Sequence, residues 1–190
     1  MPSVIISGGK SVLVLSAYKI GIIFILSAIV GAAIAIALLF VQNGFQLVDR
    51  SRDVAPNFNI PVYGEGSSNF TLSEHIGAPV LINFWGSWCA PCRAEFGLIQ
   101  TVSEDYKSEG LVVFGVNVND AEENATQFLR EEKITFPTGP DYEGRVTVEY
   151  QVTAMPTTFF ISRDGSIFRK WIGQISDDKL REIVQELMMP

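Results

Sequence analysis

Residues 80–96 read VLINFWGSWCAPCRAEF, and the architecture of the chain follows from this segment. Its first part, Val80–Trp85, is a near-continuous apolar run, which is typical of a strand buried on both faces. Its second part opens a stripe of apolar residues at helical spacing, namely Cys92, Phe96, Ile99, Val102 and Tyr106. The segment therefore predicts a buried strand that passes through a short turn into a helix, with two cysteines at the start of that helix.

Cys89 and Cys92 are the 2 cysteines of the chain. At a helix N-terminus, free N–H groups and the helix dipole stabilise a thiolate, so we expect Cys89 to be nucleophilic near neutral pH. Pro91 fits the first helical turn, where its missing N–H is not needed. Cys92 lies one turn further, within reach of a disulfide. The pair permits a two-step exchange in which Cys89 attacks a substrate disulfide and Cys92 resolves the mixed disulfide.

Two simpler interpretations of the cysteines are a zinc site and an inert structural disulfide. Zinc needs four ligands, and the sequence offers one CxxC and the distant His75. A structural disulfide across two residues would close a very small loop and constrain the unfolded chain little. We therefore expect redox chemistry at the cysteine pair, with no metal and no cofactor.

The rest of the folded region alternates strands with helices. A strand is predicted at Leu111–Val118, and a loose hairpin precedes the quoted segment, at Asn57–Ile60 and Asn69–Leu72. The later predicted elements are helices Glu122–Lys133 and Arg145–Tyr150, strands Thr157–Ser162 and Ser166–Ile172, and a closing helix Asp177–Leu187 capped by Ser176 or Asp177. This order predicts an α/β fold with a mixed sheet flanked by helices.

An uncharged, strongly apolar run extends from Ile20 to Val41. As a helix it would be about 33 Å long, enough for a hydrocarbon core of roughly 30 Å. The alternative is a cleaved signal peptide, but apolar regions of signal peptides are shorter. Lys10 and Lys19 precede the run, which predicts a cytoplasmic N-terminus. We expect residues 1–43 to be a cytoplasmic N-terminus and anchor, 44–53 a linker and 54–190 the folded, extracytoplasmic domain.

The charge of the chain is unevenly distributed. The total is −7 with 47% hydrophobic residues, but residues 54–190 alone carry 10 basic and 19 acidic side chains. Such an acidic domain stays soluble and does not favour polyanionic partners, so we expect no nucleic acid. The low proportion of charged residues, 18% in the whole chain, also argues against intrinsic disorder.

Several parts of the sequence resemble one protein superfamily. Residues 84–95, FWGSWCAPCRAE, are similar to the active-site segment of thioredoxins, and MPTTFF at 155–160 is similar to their proline loop. More narrowly, the chain resembles the membrane-anchored TlpA/ResA/CcmG-type thiol-disulfide oxidoreductases, and the likeness includes APNF at 55–58 and GVNV at 115–118. The resemblance covers residues 54–190. It implies a thioredoxin-like fold with an N-terminal hairpin and a central insert.

The resemblance also implies a function for the chain. It is expected to reduce disulfides in exported proteins, including cytochrome c precursors, in the periplasm or at the outer face of the membrane. A membrane thiol carrier would then supply electrons. The same motif also serves oxidases and isomerases, because the reduction potential sets the direction. The sequence leaves two rival functions open, a non-catalytic module that binds client peptides and a thiol peroxidase.

Further site residues follow from the resemblance. It implies a cis bond at Met155-Pro156, where the Met155 backbone would bind an extended peptide by strand-like pairing. Trp88 is expected at the rim of the same substrate-binding site. Gly97 departs from the family pattern, which usually has a proline that kinks the helix at this position.

The resemblance leaves the proton-transfer group open. Asn83 occupies the strand position where thioredoxins carry an acid, and an amide cannot replace an acid in that role. Glu95 lies three residues after Cys92, on the same helix face. Asp120 follows the next strand, at the end where a loop could reach the cysteines. We expect both acids to tune the cysteine pair and relay protons, the alternative being ordinary solvated acids.

Overall fold

The structure is a computed structural model that describes residues 21–32, 53–64, 66 and 68–189. The chain divides into two compact units, Met1–Arg50 and Ser51–Pro190. In the first unit, residues 21–32 form helix α1. Within the described part of the chain, no helix is both long and apolar enough to cross a membrane. The predicted anchor also includes Ile20 and residues 33–41, which lie outside the described residues, as do residues 44–52 of the predicted linker.

The second unit begins with a short hairpin and continues into a five-stranded mixed sheet. Strands β1 (Asn59–Pro61) and β2 (Asn69–Thr71) are antiparallel and pair Ile60 with Phe70. The sheet has the order β5-β4-β3-β6-β7. Its strands are β3 (Val80–Trp85), β4 (Val112–Val118), β5 (Thr138–Asp141), β6 (Thr157–Ile161) and β7 (Ile167–Ile172). β3, β4 and β5 run parallel to one another, whereas β6 and β7 are antiparallel to their neighbours.

Within the described residues of this unit, four α-helices and two 3-10 turns accompany the strands. The helices are α2 (Ala90–Tyr106), α3 (Glu122–Glu131), α4 (Arg145–Glu149) and α5 (Asp177–Met188), and the 3-10 turns are Leu72–His75 and Lys107–Glu109. The predicted cap of the last helix is Ser176, whose Oγ accepts a hydrogen bond from the N–H of Lys179 at 3.4 Å. α2 runs through Gly97 as one helix.

Strand β3 is buried along its whole length, because both faces of the sheet are covered. On one face, Leu81 and Trp85 belong to a buried cluster that includes both cysteines and apolar residues of α2, α3 and α5. On the other face, Ile82 and Phe84 pack in a cluster with the hairpin and α4. The continuous apolar run of β3 is explained by this double burial.

The observed fold confirms the predicted thioredoxin-like α/β architecture, including the hairpin and the central insert. One strand was not expected from the sequence. This strand is β5, which lies between α3 and α4 and pairs in parallel with residues 115–118 of β4. Its sequence, Thr-Gly-Pro-Asp, has neither an apolar run nor apolar alternation. Pro140 is tolerated because β5 is an edge strand, where one row of N–H groups has no neighbouring strand.

Candidate functional site

The two cysteines form a disulfide at the N-terminus of α2, with their Cα atoms 5.3 Å apart. Cys89 is the N-cap residue, and its sulfur accepts the N–H of Cys92 at 3.3 Å. Pro91 lies in the first turn of the helix, as predicted. Cys89 is 4% exposed and Cys92 is fully buried. The N-terminal cysteine is therefore the one that a substrate can reach, and it lies where the helix dipole favours a thiolate.

The turn that leads into the cysteines is anchored by Asp120, just beyond the end of β4. The N–H of Ser87 donates to Asp120 Oδ2 at 2.6 Å, and the Ser87 hydroxyl donates to Oδ1 at 2.8 Å. Asn117 Nδ2 also donates to Oδ2, at 3.1 Å. Both carboxylate oxygens of Asp120 are thus engaged by neighbours of the cysteine segment.

The next residue, Trp88, lies at the surface beside Cys89. Its side chain is 56% exposed, and its indole N–H is shared between the carbonyl oxygens of Val118 at 3.2 Å and Asn119 at 3.1 Å. The ring is therefore held in one orientation by backbone acceptors at the end of β4. An exposed but fixed aromatic ring is suited to contact with a bound polypeptide.

A half-buried tyrosine extends this hydrogen-bonded network. The Tyr63 hydroxyl donates to Asn117 Oδ1 at 2.9 Å. Burial raises the pKa of Tyr63, and the neighbouring Tyr142 and Asp120 act in the same direction. The hydroxyl therefore remains a donor over the physiological pH range. The sequence contains no signal for this contact, which joins residues 54 positions apart.

Glu95 is fully buried on α2, one helical turn after Cys92. Its Oε1 accepts a hydrogen bond from Asn83 Nδ2 at 2.9 Å, and its Oε2 accepts the N–H of Ile175 at 2.8 Å. Burial raises the pKa of Glu95 to about 7, while the two hydrogen bonds act in the opposite direction. The carboxyl group can therefore exchange a proton at neutral pH.

The Met155-Pro156 peptide bond is cis, which confirms the expectation from the resemblance. The carbonyl oxygen of Pro156 accepts the N–H of Gly173 at 2.8 Å, and the Thr157 hydroxyl donates to the carbonyl oxygen of Ala154 at 2.7 Å. Met155 is half-buried and packs against the cluster that contains both cysteines. The proline loop and the disulfide thus contact the same apolar cluster.

The predicted acids Glu95 and Asp120 make different contacts near the start of α2. Glu95 lies one helical turn after Cys92 on α2, as the spacing predicts. Asp120 forms its hydrogen bonds with Ser87 and Asn117 instead of with either cysteine. The sequence did not reveal Asn83 as the partner of Glu95, because the two residues belong to different elements.

A separate cavity of about 410 Å³ lies between the end of β1 and the segment that follows α3. Its lining includes Tyr63, Arg130, Lys133 and Phe136. None of the predicted site residues lines it. The candidate site is therefore the surface around the N-terminus of α2, and this cavity is not part of it.

Residues 52–170 of the chain match the model of the AhpC/TSA family. The chain belongs to this family. The match covers the hairpin, the cysteine segment, the insert and the proline loop, and it ends within β7.

Individual relatives narrow the assignment. Thiol-disulfide oxidoreductase ResA of Oceanobacillus iheyensis is 32% identical over 82% of this chain and 82% of its own length. ResA of Bacillus subtilis is 28% identical over 86% of this chain and 88% of its own. A Chlorobium tepidum crystal structure, described as a thiol:disulfide interchange protein DsbE, is 31% identical with a TM-score of 0.67, over 72% of this chain and 96% of that one. The chain is thus one of the ResA-type and DsbE-type thiol-disulfide oxidoreductases.

Proposed function

We propose that this protein reduces disulfides of exported proteins through Cys89 and Cys92, with Glu95 as the proton-exchanging group. The observation that carries the proposal is the disulfide at the N-terminus of α2 with a buried carboxyl group one turn behind it. A nucleophilic sulfur, a resolving sulfur and a proton acceptor then lie on one helix. These are the groups that dithiol-disulfide exchange needs.

The reaction begins from the reduced protein. The Cys89 thiolate attacks one sulfur of the client disulfide, which forms a mixed disulfide and releases the other client sulfur as a thiolate. Cys92 then attacks the Cys89 sulfur, which releases the second client thiolate and leaves the Cys89–Cys92 disulfide. Two electrons pass from the protein to the client, and the released thiolates take up protons.

Glu95 serves the second step. Cys92 is buried, and burial disfavours its thiolate, so the thiol must lose its proton to a nearby group as it attacks. Glu95 is one helical turn away, and with its pKa near 7 it is partly ionised at neutral pH. It can therefore accept the Cys92 proton and release it later.

The same carboxylate supports the reducing direction. A negative charge close to the cysteines disfavours their thiolates and so destabilises the reduced pair relative to the disulfide. A less stable reduced pair gives up its electrons more readily, which corresponds to a lower reduction potential. We therefore expect a potential below that of the glutathione pool.

We propose that the client polypeptide binds across Trp88, Met155 and Pro156. Trp88 offers an exposed, fixed aromatic face, and Met155 is half-buried in the loop that packs near the cysteines. An extended client segment would pair with the backbone at Met155 while its disulfide meets Cys89. Cytochrome c precursors belong to the proposed clients because of the family resemblance.

We also propose an extracytoplasmic location, with residues 20–41 as the membrane anchor. The support is the uncharged apolar run of the sequence and the two lysines that precede it. Clients outside the cytoplasm need a reductant whose electrons come from inside the cell. A membrane thiol carrier is accordingly the proposed electron donor.

The test uses the full chain purified in detergent and expressed in cells. Cys92→Ser retains the attacking sulfur and lacks the resolving one, so it should accumulate mixed disulfides with exported proteins. Cys89→Ser is the matched control and should trap none. A measured potential above that of the glutathione pool would contradict the reducing direction, and absence of any mixed disulfide with Cys92→Ser would contradict the exchange itself.

A further inference from the structure

Asn83 is a fully buried amide in the middle of β3, among apolar residues. Its Nδ2 donates two hydrogen bonds, one to Glu95 Oε1 at 2.9 Å on α2 and one to Thr158 Oγ1 at 3.0 Å on β6. Its Oδ1 is buried and has no hydrogen-bond partner within the described part of the chain. A buried amide with an unused acceptor costs free energy, and an apolar residue would avoid this cost.

The surroundings of Glu95 show what the amide contributes. The Glu95 carboxylate receives hydrogen bonds from Asn83 Nδ2 and from the N–H of Ile175, just before α5. No Asp, Glu, Lys, Arg or His side chain in the described residues contributes to its pKa shift. Two titratable residues precede Glu95 in the same turn of α2: Cys92 is held in the disulfide, and Arg93 is partly exposed and pairs with Glu131 and Glu132. The carboxylate is therefore stabilised in the interior by two hydrogen-bond donors and not by a countercharge.

We propose that Asn83 is a positioning residue that holds the Glu95 carboxyl group in place in both of its protonation states. The proposal rests on the proposed function, in which Glu95 takes a proton from Cys92 and later releases it. A proton relay inside a protein needs a partner that accommodates both the acid and its conjugate base. An amide side chain can provide this, because it carries donors and an acceptor on the same group.

The arrangements for ionised and for protonated Glu95 differ by a half-turn rotation of the Asn83 side-chain amide group. The hydrogen bond from Nδ2 to Oε1 is the arrangement that suits an ionised Glu95. When Glu95 has taken the proton from Cys92, its O–H needs an acceptor, and rotation of the amide brings Oδ1 into the position of Nδ2. The Thr158 hydroxyl fits either arrangement, since it accepts from Nδ2 and can donate to Oδ1. The proton moves between Cys92 and Glu95, and no other reactant is required.

The two states are not held equally well. A hydrogen bond to a charged carboxylate is stronger than one between neutral groups, so Asn83 favours the ionised form overall. Loss of the amide should then shift Glu95 toward the protonated form. The pKa of Glu95 would then be higher. The step that depends on the Glu95 carboxylate would become fast only at a correspondingly higher pH.

The experiment measures how fast the reduced full chain, in detergent, is oxidised by glutathione disulfide across the neutral pH range. Asn83→Leu keeps the branching of the side chain and removes its donors and acceptor. We expect the midpoint of the Glu95-dependent rise in rate to move up by about one pH unit. Asn83→Ala, which avoids overpacking, should give the same shift if the leucine variant does not fold.

Two controls separate positioning from a merely structural role. Thr158→Val removes the hydrogen bond between Asn83 and Thr158 and leaves the one between Asn83 and Glu95. The pH midpoint of the oxidation rate in this variant should therefore equal that of the wild type. In a Glu95→Gln background, Asn83→Leu should cause no further shift, because the group it acts on is absent.

The outcomes also separate this proposal from the proposed function. If Glu95→Gln leaves the pH profile unchanged, the proton role of Glu95 is wrong. If Glu95→Gln changes the profile but neither Asn83 variant that folds moves the midpoint, then Glu95 acts without Asn83 and the positioning role is overturned.

Discussion

At the scale of single residues, the raised pKa of Glu95 affects both proton exchange at the site and the stability of the fold. Burial raises its pKa from 4.5 to about 7, so the folded protein holds a proton that the unfolded chain releases between these values. The folded state then loses stability as the pH rises through this window, because ionisation is less favourable in the interior than in water. The group that makes proton exchange possible near neutral pH therefore weakens the fold at that pH.

This linkage predicts a difference between wild type and Glu95→Gln that depends on pH. Relative to the variant, the wild-type free energy of unfolding should fall by roughly 3 kcal/mol as the pH rises through the window between the two pKa values. Urea denaturation of the oxidised unit Ser51–Pro190 at a series of pH values measures it. Glu104→Gln, an exposed change on the same helix, should follow the wild-type curve. A constant difference between wild type and Glu95→Gln would contradict the raised pKa.

The sequence predicted where some of these residues lie and could not predict all of their contacts. Cys89, Cys92 and Glu95 follow from helical spacing, which is a local property of the chain. The donors that hold Glu95 are 12 and 80 residues away in sequence, at Asn83 and Ile175. Such contacts depend on how α2 packs against β3 and against the segment before α5, and no local pattern encodes them.

At the scale of elements, the turn between β3 and α2 determines how Cys89 is presented. Asp120 binds this turn through Ser87, and the Trp88 indole binds the end of β4. The start of α2 is thus held by hydrogen bonds to the end of β4, as well as by its chain connection to β3. This contact gives Asp120 a clear structural role beside the proton relay that its position in the sequence suggested.

The Asp120→Asn variant tests these two roles against each other. An asparagine has one acceptor oxygen in place of two, so the hydrogen bonds from Ser87 and Asn117 cannot all persist. We expect faster amide hydrogen exchange at residues 86–88 and a loss of about 1–2 kcal/mol in unfolding free energy. Ser87→Ala, which removes only the hydroxyl bond, should give a smaller loss. An unchanged pH profile of disulfide exchange assigns Asp120 to anchoring, and a shifted profile assigns it to proton transfer.

The elements also differ in how much the sequence revealed. β3 and α2 were predicted because apolar residues follow a strand or helix period there. β5 was not predicted because Gly139 and Pro140 are residues that rarely occur in strands. A tertiary contact, and not the local sequence pattern, explains why residue 139 is a glycine. A Cβ atom at this position would lie 2.0 Å from the carbonyl oxygen of Pro61, so close contact between β5 and the hairpin requires glycine.

At the scale of the whole molecule, the two units have opposite properties. The segment up to residue 48 carries two lysines and no acid, whereas residues 54–190 carry the excess of acidic side chains. The folded unit buries its apolar residues on both faces of the sheet. The high hydrophobic fraction of the chain therefore comes from an ordinary core together with the apolar run at residues 20–41.

The proposed orientation predicts the location of the C-terminal end of the chain. Alkaline phosphatase fused after residue 190 should be active, because this enzyme folds only where disulfides form, and green fluorescent protein fused there should be dark. Lys10→Glu with Lys19→Glu removes the positive charges that set the orientation, so this double variant should reduce the phosphatase activity. Fluorescent fusions without phosphatase activity would place the cysteine pair in the cytoplasm and overturn the proposal that its clients are exported proteins.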